Sequence, residues 1–137
     1  MDWKLEVVIL PVSDVDRAKA FYVDQLEFSL DVDHQPNEHF RVVQMTPPGS
    51  ACSITIGVGL NDQPPGTTKG LHLVVNDIEK AQAHLGEHDV EFNGPYWFGE
   101  TGQTPGLHPE RVKFGTFLDF ADPDGNNWIV QEVPDGS

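Results

Sequence analysis

Apolar and polar positions along this chain follow one pattern twice. The run "LEVVILPV" at residues 5–12 is apolar and rich in β-branched residues, which predicts a strand. Directly after it, Val15, Ala18, Phe21 and Tyr22 recur at helical spacing and predict a helix with one apolar face. The second occurrence starts with "LHLVV" at 71–75 and continues with Ile78, Ala81 and Leu85 on one helical face. Laid over each other, "VSDVDRAKAF" (12–21) and "VNDIEKAQAH" (75–84) match valine, a polar residue, aspartate, an aliphatic, an acid, a base and two alanines, as an internal repeat does. Farther on, "QLEFSL" falls over "DVEFNG" after a one-residue insertion in the second copy. Ser13 and Asn76 stand at the N-cap positions, with Asp16 and Glu79 three residues later as capping-box partners.

The rest of each repeat alternates as strands do. Segments 27–34, 39–46 and 51–58 complete the first, while "VEFNGPYW", "GTFLDFA" and "NWIVQEV" complete the second, the last two joined by the turn "DPDGN". Each repeat is therefore expected to be a βαβββ module, giving an α+β chain. We expect one domain over 1–137, with module one at about 3–59, a turn-rich linker at about 60–69 and module two at about 70–134. A helix covers one face of each sheet, and the opposite face is expected to be covered by the other module.

Composition narrows the partners. The chain has 137 residues, 38% hydrophobic and 22% charged, enough for one real core. Its 22 acidic residues against 8 basic ones give a formal charge of −14, a field that repels phosphate backbones and anionic lipid heads, so neither nucleic acid nor a membrane is expected as partner. Cys52 is the only cysteine, which excludes an intrachain disulfide or a CxxC site and suits a reducing cytoplasm. The N-terminus carries no basic segment followed by an apolar one, so export is not expected either. Dinucleotide, P-loop, nucleophile-elbow and HExxH motifs are absent, and "DPDGNNW" lacks the spaced acids and closing glutamate of a calcium loop.

The paired βαβββ plan, "VSDVDRAKAFYVDQLEF" near the front and "FADPDGNNWIVQE" near the end resemble the vicinal oxygen chelate superfamily, also called the glyoxalase/bleomycin resistance/dioxygenase family. The likeness covers about 4–133. It implies curled mixed sheets forming a cup that holds a small-molecule ligand, and a homodimer. It does not select an activity, because this fold serves lyases, isomerases, dioxygenases, transferases and metal-free drug-binding proteins.

Metal-using members resemble one another in carrying His or Glu at four matched positions, which here are Val7, Ser53, Gly70 and Ile129. Valine, isoleucine and glycine offer no donor and a lone serine hydroxyl is a poor ligand, so no metal or other cofactor is expected. His72 shares the face of Gly70 but lies about 6.6 Å farther along the strand. His34, His39, His84, His88 and His108 fall in turns, on the second helix or in a loop, and are read as surface residues. Alternation then gives the candidate ligand-binding residues: Ser53, Thr55, His72 and Gln131, with Asp31 and Asp33 on the same side of their strand, and Phe28 turned towards the helix. Residues 95–115 read as a long Gly/Pro-rich loop in which Trp97, with Tyr96 and Phe98, either closes over a ligand or pins the loop to its own module or to a dimer partner. Three readings follow in order. The first is a metal-free protein that binds or sequesters a small, partly apolar molecule. The second is a cofactor-independent lyase or isomerase with His72 as acid or base beside Asp31 or Asp33. The third is a metal-dependent lyase or dioxygenase with displaced ligands.

Overall fold

A computed structural model describes residues 1–134. The chain divides into two units, residues 1–68 together with 122–126, and residues 69–121 together with those from 127 on. No helix among the described residues is long and apolar enough to cross a membrane.

In the first unit, β1 (Val7–Ile9) leads to α1 (Val15–Ala20), which runs into a π-helical turn at Phe21–Gln25. Three strands follow: β2 (Ser29–Asn37), β3 (Phe40–Thr46) and β4 (Ser53–Val58). They form a four-stranded mixed sheet in the order β1-β4-β3-β2, with β1 parallel to β4 and the other pairs antiparallel. The predicted helical face is the buried one: Ala18 and Tyr22 are fully buried and Val15 and Phe21 nearly so. Period-two alternation turns Val43 and Met45 of β3 and Ile54 and Ile56 of β4 towards the same core, where Phe28 stacks on Tyr22 at 5.7 Å.

The N-caps are Asp14 and Asp77, one residue beyond the expected Ser13 and Asn76. The Asp14 carboxylate accepts from the Arg17 amide, and Asp77 accepts from Glu79 and Lys80. Ser13 has another partner: its hydroxyl donates to Asp124 at 2.5 Å and its amide to the same carboxylate at 3.1 Å. This bond belongs to a larger tie. The turn "DPDGN" links two strands of the second module, yet 122–126 belongs to the first unit. Buried Asp122 accepts from the Tyr22 hydroxyl and from Asn126 Nδ2, each at 2.8 Å, and Asn126 Nδ2 also donates to the Pro11 carbonyl at 2.9 Å. Each of these buried polar groups has a partner, as burial requires.

The second unit contains β5 (Leu71–Val75), α2 (Ile78–Glu87), β6 (Asn93–Gly99), β7 (Gly102–Pro105), β8 (Phe117–Ala121) and β9 (Asn127–Glu132). Its sheet has five strands in the order β5-β9-β8-β6-β7, so this module is βαββββ where βαβββ was expected. The extra strand comes from the segment read as a loop: β6 and β7 pair antiparallel from Tyr96↔Pro105 to Gly99↔Gly102, and only the part after Pro105 is irregular before β8. Pro105 is tolerated because β7 is an edge strand. Leu118, Phe120, Trp128 and Val130 are buried on the α2 side with Ile78 and Leu85. Glu132 joins them as a fully buried carboxylate that accepts from the Ile78 amide at 2.9 Å and from Arg111 Nε at 2.9 Å. The two mixed sheets are of four and five strands, and neither closes on itself.

Candidate functional site

Once α1 has claimed one face of the first sheet, the cross-strand register fixes what lies on the other. Val7 pairs with Ser53, and the Ser53 hydroxyl lies 2.6 Å from that of Thr46. Thr46 in turn donates a short hydrogen bond to Asp31. The adjacent row consists of Ile9, Thr55, Gln44 and Val32. The face opposite α1 is thus a grid of hydroxyls and one amide among aliphatic side chains, the mixture small-molecule sites use. Ser53 and Thr55 are buried, while Val7, Ile9 and Val32 are among the exposed hydrophobic residues.

Asp31 and Asp33 do not lie on this face together. A register shift between Leu30 and Val32 interrupts the pairing of β2 with β3, so the alternation that would align the two acids is broken between them. Asp31 bonds to Thr46 on the Ser53 side. Asp33 pairs with Val43 on the helix side, where it accepts from Lys19 Nζ at 2.8 Å and from Arg41 Nε at 3.1 Å and Nη2 at 2.9 Å. Arg41 also donates to Asp16 of α1 at 2.8 Å. The Arg41 guanidinium, then Lys19, hold the Asp33 carboxyl well below the usual carboxylate range, and the two acids push Arg41 upward. Asp33 is engaged in this ion-pair network and placed to tie β2 and β3 to α1. Arg41 and Gln44 fall on opposite faces of β3 with no bulge between them in its pairing with β4.

The second sheet presents two complete rows on the face opposite α2. One runs His72, Ile129, Asp119, Asn93 and the next Val74, Gln131, Phe117, Tyr96. Neighbours within a row are about 5 Å apart. His72 is exposed, and its Nδ1 lies 2.6 Å from the Gly70 carbonyl. A carbonyl only accepts, so Nδ1 carries the hydrogen and Nε2 of the neutral ring is the free base. The carboxylates expected beside His72 have the partners described above, Asp31 with Thr46 and Asp33 with Lys19 and Arg41.

Of the two readings of the aromatics at 96–98, Trp97 follows the one that pins the segment to its own module. Strand β6 sends Tyr96 and Phe98 to the face of Gln131 and sends Trp97 to the opposite one, where its ring meets His108 edge-on at 5.1 Å. Tyr96, Phe98 and Phe117 form an aromatic cluster with centroid separations of 5.3 to 5.9 Å. Beside it sits a carboxylate that the sequence reading missed. Asp119 accepts from the Asn93 amide at 3.1 Å on one oxygen and from the Tyr96 hydroxyl at 2.8 Å on the other. Burial, and then the hydrogen bond to the Asp119 carboxylate, push the Tyr96 phenol up to about 12. The available signal was an acid between Leu118 and Phe120, where period two turns it away from the core.

The four positions that the resemblance matches to metal ligands carry little donor chemistry. Val7 and Ile129 present hydrocarbon, Gly70 presents no side chain, and the Ser53 hydroxyl is engaged by Thr46. One hydroxyl does not fit a divalent cation, which takes three or four protein ligands at such centres.

Comparison with known proteins agrees with this architecture. The model of the Glyoxalase/Bleomycin resistance protein/Dioxygenase superfamily matches residues 4–130. Among solved structures, TnmS3, an antibiotic binding protein from Streptomyces sp. CB03234, is 31% identical with a TM-score of 0.75, the match covering 96% of each chain. A glyoxalase/bleomycin resistance protein from the same organism is 32% identical at a TM-score of 0.72, covering 94% of this chain and 100% of that one. A superfamily member from Sphaerobacter thermophilus DSM 20745 is 28% identical at 0.74, covering 96% and 98%.

Proposed function

The chain belongs to the glyoxalase/bleomycin resistance/dioxygenase superfamily, and from that premise we propose that it is a metal-free protein that binds and sequesters a small, partly apolar molecule. The observation that carries this reading is the donor set: Val7, Ser53, Gly70 and Ile129 supply one hydroxyl between them, already bonded to Thr46. Around these positions the sheet faces opposite the helices offer aliphatic and aromatic surface with isolated polar groups: Ser53, Thr55 and Gln44 on one, His72, Gln131 and Asp119 on the other. Such surfaces recognise a ligand by area and a few oriented hydrogen bonds. The likeness to an antibiotic binding protein supports the same class of ligand. Exposed Val7, Ile9, Val74 and Phe98 further support a homodimer in which a second copy covers part of these faces.

The test is equilibrium binding of a panel of planar and aromatic antibiotics by calorimetry. It is run after exhaustive chelation and again with added zinc or manganese, and the recovered ligand is analysed by mass spectrometry. Binding that is indifferent to metal, with ligand returned unchanged, is expected. Turnover or binding that appears only with stoichiometric metal would refute it in favour of a metal enzyme. A new product that disappears in His72→Ala while binding persists would establish instead a cofactor-independent enzyme, with Nε2 of His72 as the proton-transferring atom. Sedimentation equilibrium reads the oligomeric state independently.

A further inference from the structure

A groove of about 570 Å³ lies against the second sheet, lined by Asn93, Gly94, Pro95, Tyr96, Gln103, Pro105 and Asp119. Two prolines give it apolar lining, and its polar groups are two amides, a phenol and one carboxylate. Among the described residues, no lysine, arginine or histidine lines it. The Asp119 carboxylate is held from both sides by neutral donors, Asn93 Nδ2 on one oxygen and the Tyr96 hydroxyl on the other. Two neutral hydrogen bonds orient the group without cancelling its charge. A carboxylate has about four lone-pair sites, so one on each oxygen is left for a further donor. The residue is half-buried, so water screens this charge less than it would on a bare surface.

We infer that this groove is a binding site for an organic ammonium group carried on an apolar or aromatic body, with Asp119 as its anion. The inference deepens the ligand-binding reading and rests on it. An N⁺–H donor makes a charge-assisted bond to a preoriented carboxylate, stronger than one between neutral partners. Pro95 and Pro105 offer apolar surface to the attached carbon skeleton, beside the small part of Tyr96 that stays exposed. The formal charge of −14 adds a long-range attraction for any cation approaching the molecule. Asp119 is thereby assigned as a specificity determinant for positively charged ligands.

The experiment titrates the full-length protein with 1-naphthylmethylammonium and with its neutral counterpart 1-naphthylmethanol, following backbone amide shifts by NMR at low and high salt. The cation is expected to bind roughly tenfold more tightly than the alcohol, the size of one hydrogen bond to a charged group. Its shifts should centre on Asn93, Tyr96, Gln103 and Asp119, and high salt should narrow the difference. Asp119→Asn should abolish the preference, its amide spectrum serving as the check on folding. Tyr96→Phe keeps the charge while removing one donor, and should retain the preference whether or not Asp119→Asn folds. Equal affinity for the two probes would overturn the inference and leave the binding reading standing. A preference that survives in Asp119→Asn would also overturn it. No response to either probe would count against both.

Discussion

Replacing Glu132 by glutamine tests whether β9, which carries Ile129 and Gln131 on its other face, is held in place by a buried charge. The Glu132 side chain is fully buried, and three donors converge on its two oxygens. Arg111 Nε reaches one oxygen at 2.9 Å, and the Ile78 amide at 2.9 Å and Arg111 Nη2 share the other. A glutamine amide has nearly the same shape but must present its NH₂ to one of these sites, so neither orientation avoids a donor facing a donor. Losing a charged hydrogen bond costs about 1.5–3 kcal/mol and leaving a buried donor unpaired about 1–3 kcal/mol. The Arg111 side chain is 35% exposed, so water recovers part of its share, and about 2–4 kcal/mol is the expected loss. The pH dependence follows from the same contacts. Arg111, then the Ile78 amide, lower the Glu132 pKa below its ordinary 4.5 against the opposing effect of burial. A depressed carboxyl contributes stability that is fully present above the unfolded pKa and is lost as pH falls through the folded one. The gap between wild type and Glu132→Gln should therefore stay constant from pH 7 to about 5 and narrow below about 4.5. Urea unfolding followed by the fluorescence of the three tryptophans measures it across that range. A gap under about 0.5 kcal/mol at pH 7, the size of an ordinary surface change, would refute the reasoning, as would one that persists undiminished into acid.

Asp33→Asn should cost about 1 kcal/mol in thermal unfolding, because Arg41 keeps Asp16 and only the Lys19 and Arg41 bonds to β2 are weakened; a loss that vanishes in high salt would confirm its electrostatic origin. Tyr22→Phe should cost about 1–2 kcal/mol, since it removes the phenol from buried Asp122 while Asn126 still donates to the same carboxylate; a neutral result in denaturant titration would argue against the tie between Tyr22 and the turn at 122–126. Thr46→Val should sever the hydroxyl chain from Asp31 to Ser53 at a cost of about 1 kcal/mol, and should weaken ligand binding on that face in calorimetry if the chain orients Ser53.

How far the sequence could be read depended on where strand pairing runs without interruption. β5 pairs with β9 continuously from Leu71↔Trp128 to Val75↔Glu132, and His72 and Gln131 emerge on the face that alternation assigned to them. β1 and β4 are likewise continuous, so Val7, Ser53, Ile9 and Thr55 share a side. In β2 Asp31 is itself the extra residue, between Leu30 and Val32, which puts it out of phase with Asp33, and nothing in "FSLDVDH" announces it, because the shift is set by the partner strand. The N-caps slipped by one residue for a similar reason: Ser13 is an adequate cap in isolation, but its hydroxyl bonds to Asp124, more than a hundred residues away. Proline and glycine in 95–115 suggested a loop, although an edge hairpin tolerates both. Asp119 sat in plain view inside an apolar strand, and its meaning depended on Asn93 and Tyr96 arriving from a strand that had been read in part as loop. Local patterning thus predicts the side on which a residue emerges, whereas the partner that gives a polar residue its chemistry is supplied by register and by distant segments. That difference makes Asp119 the more informative residue to mutate: His72 was placed from its own strand, while the proposed role of Asp119 exists only in the assembled sheet and must disappear when the carboxylate is removed.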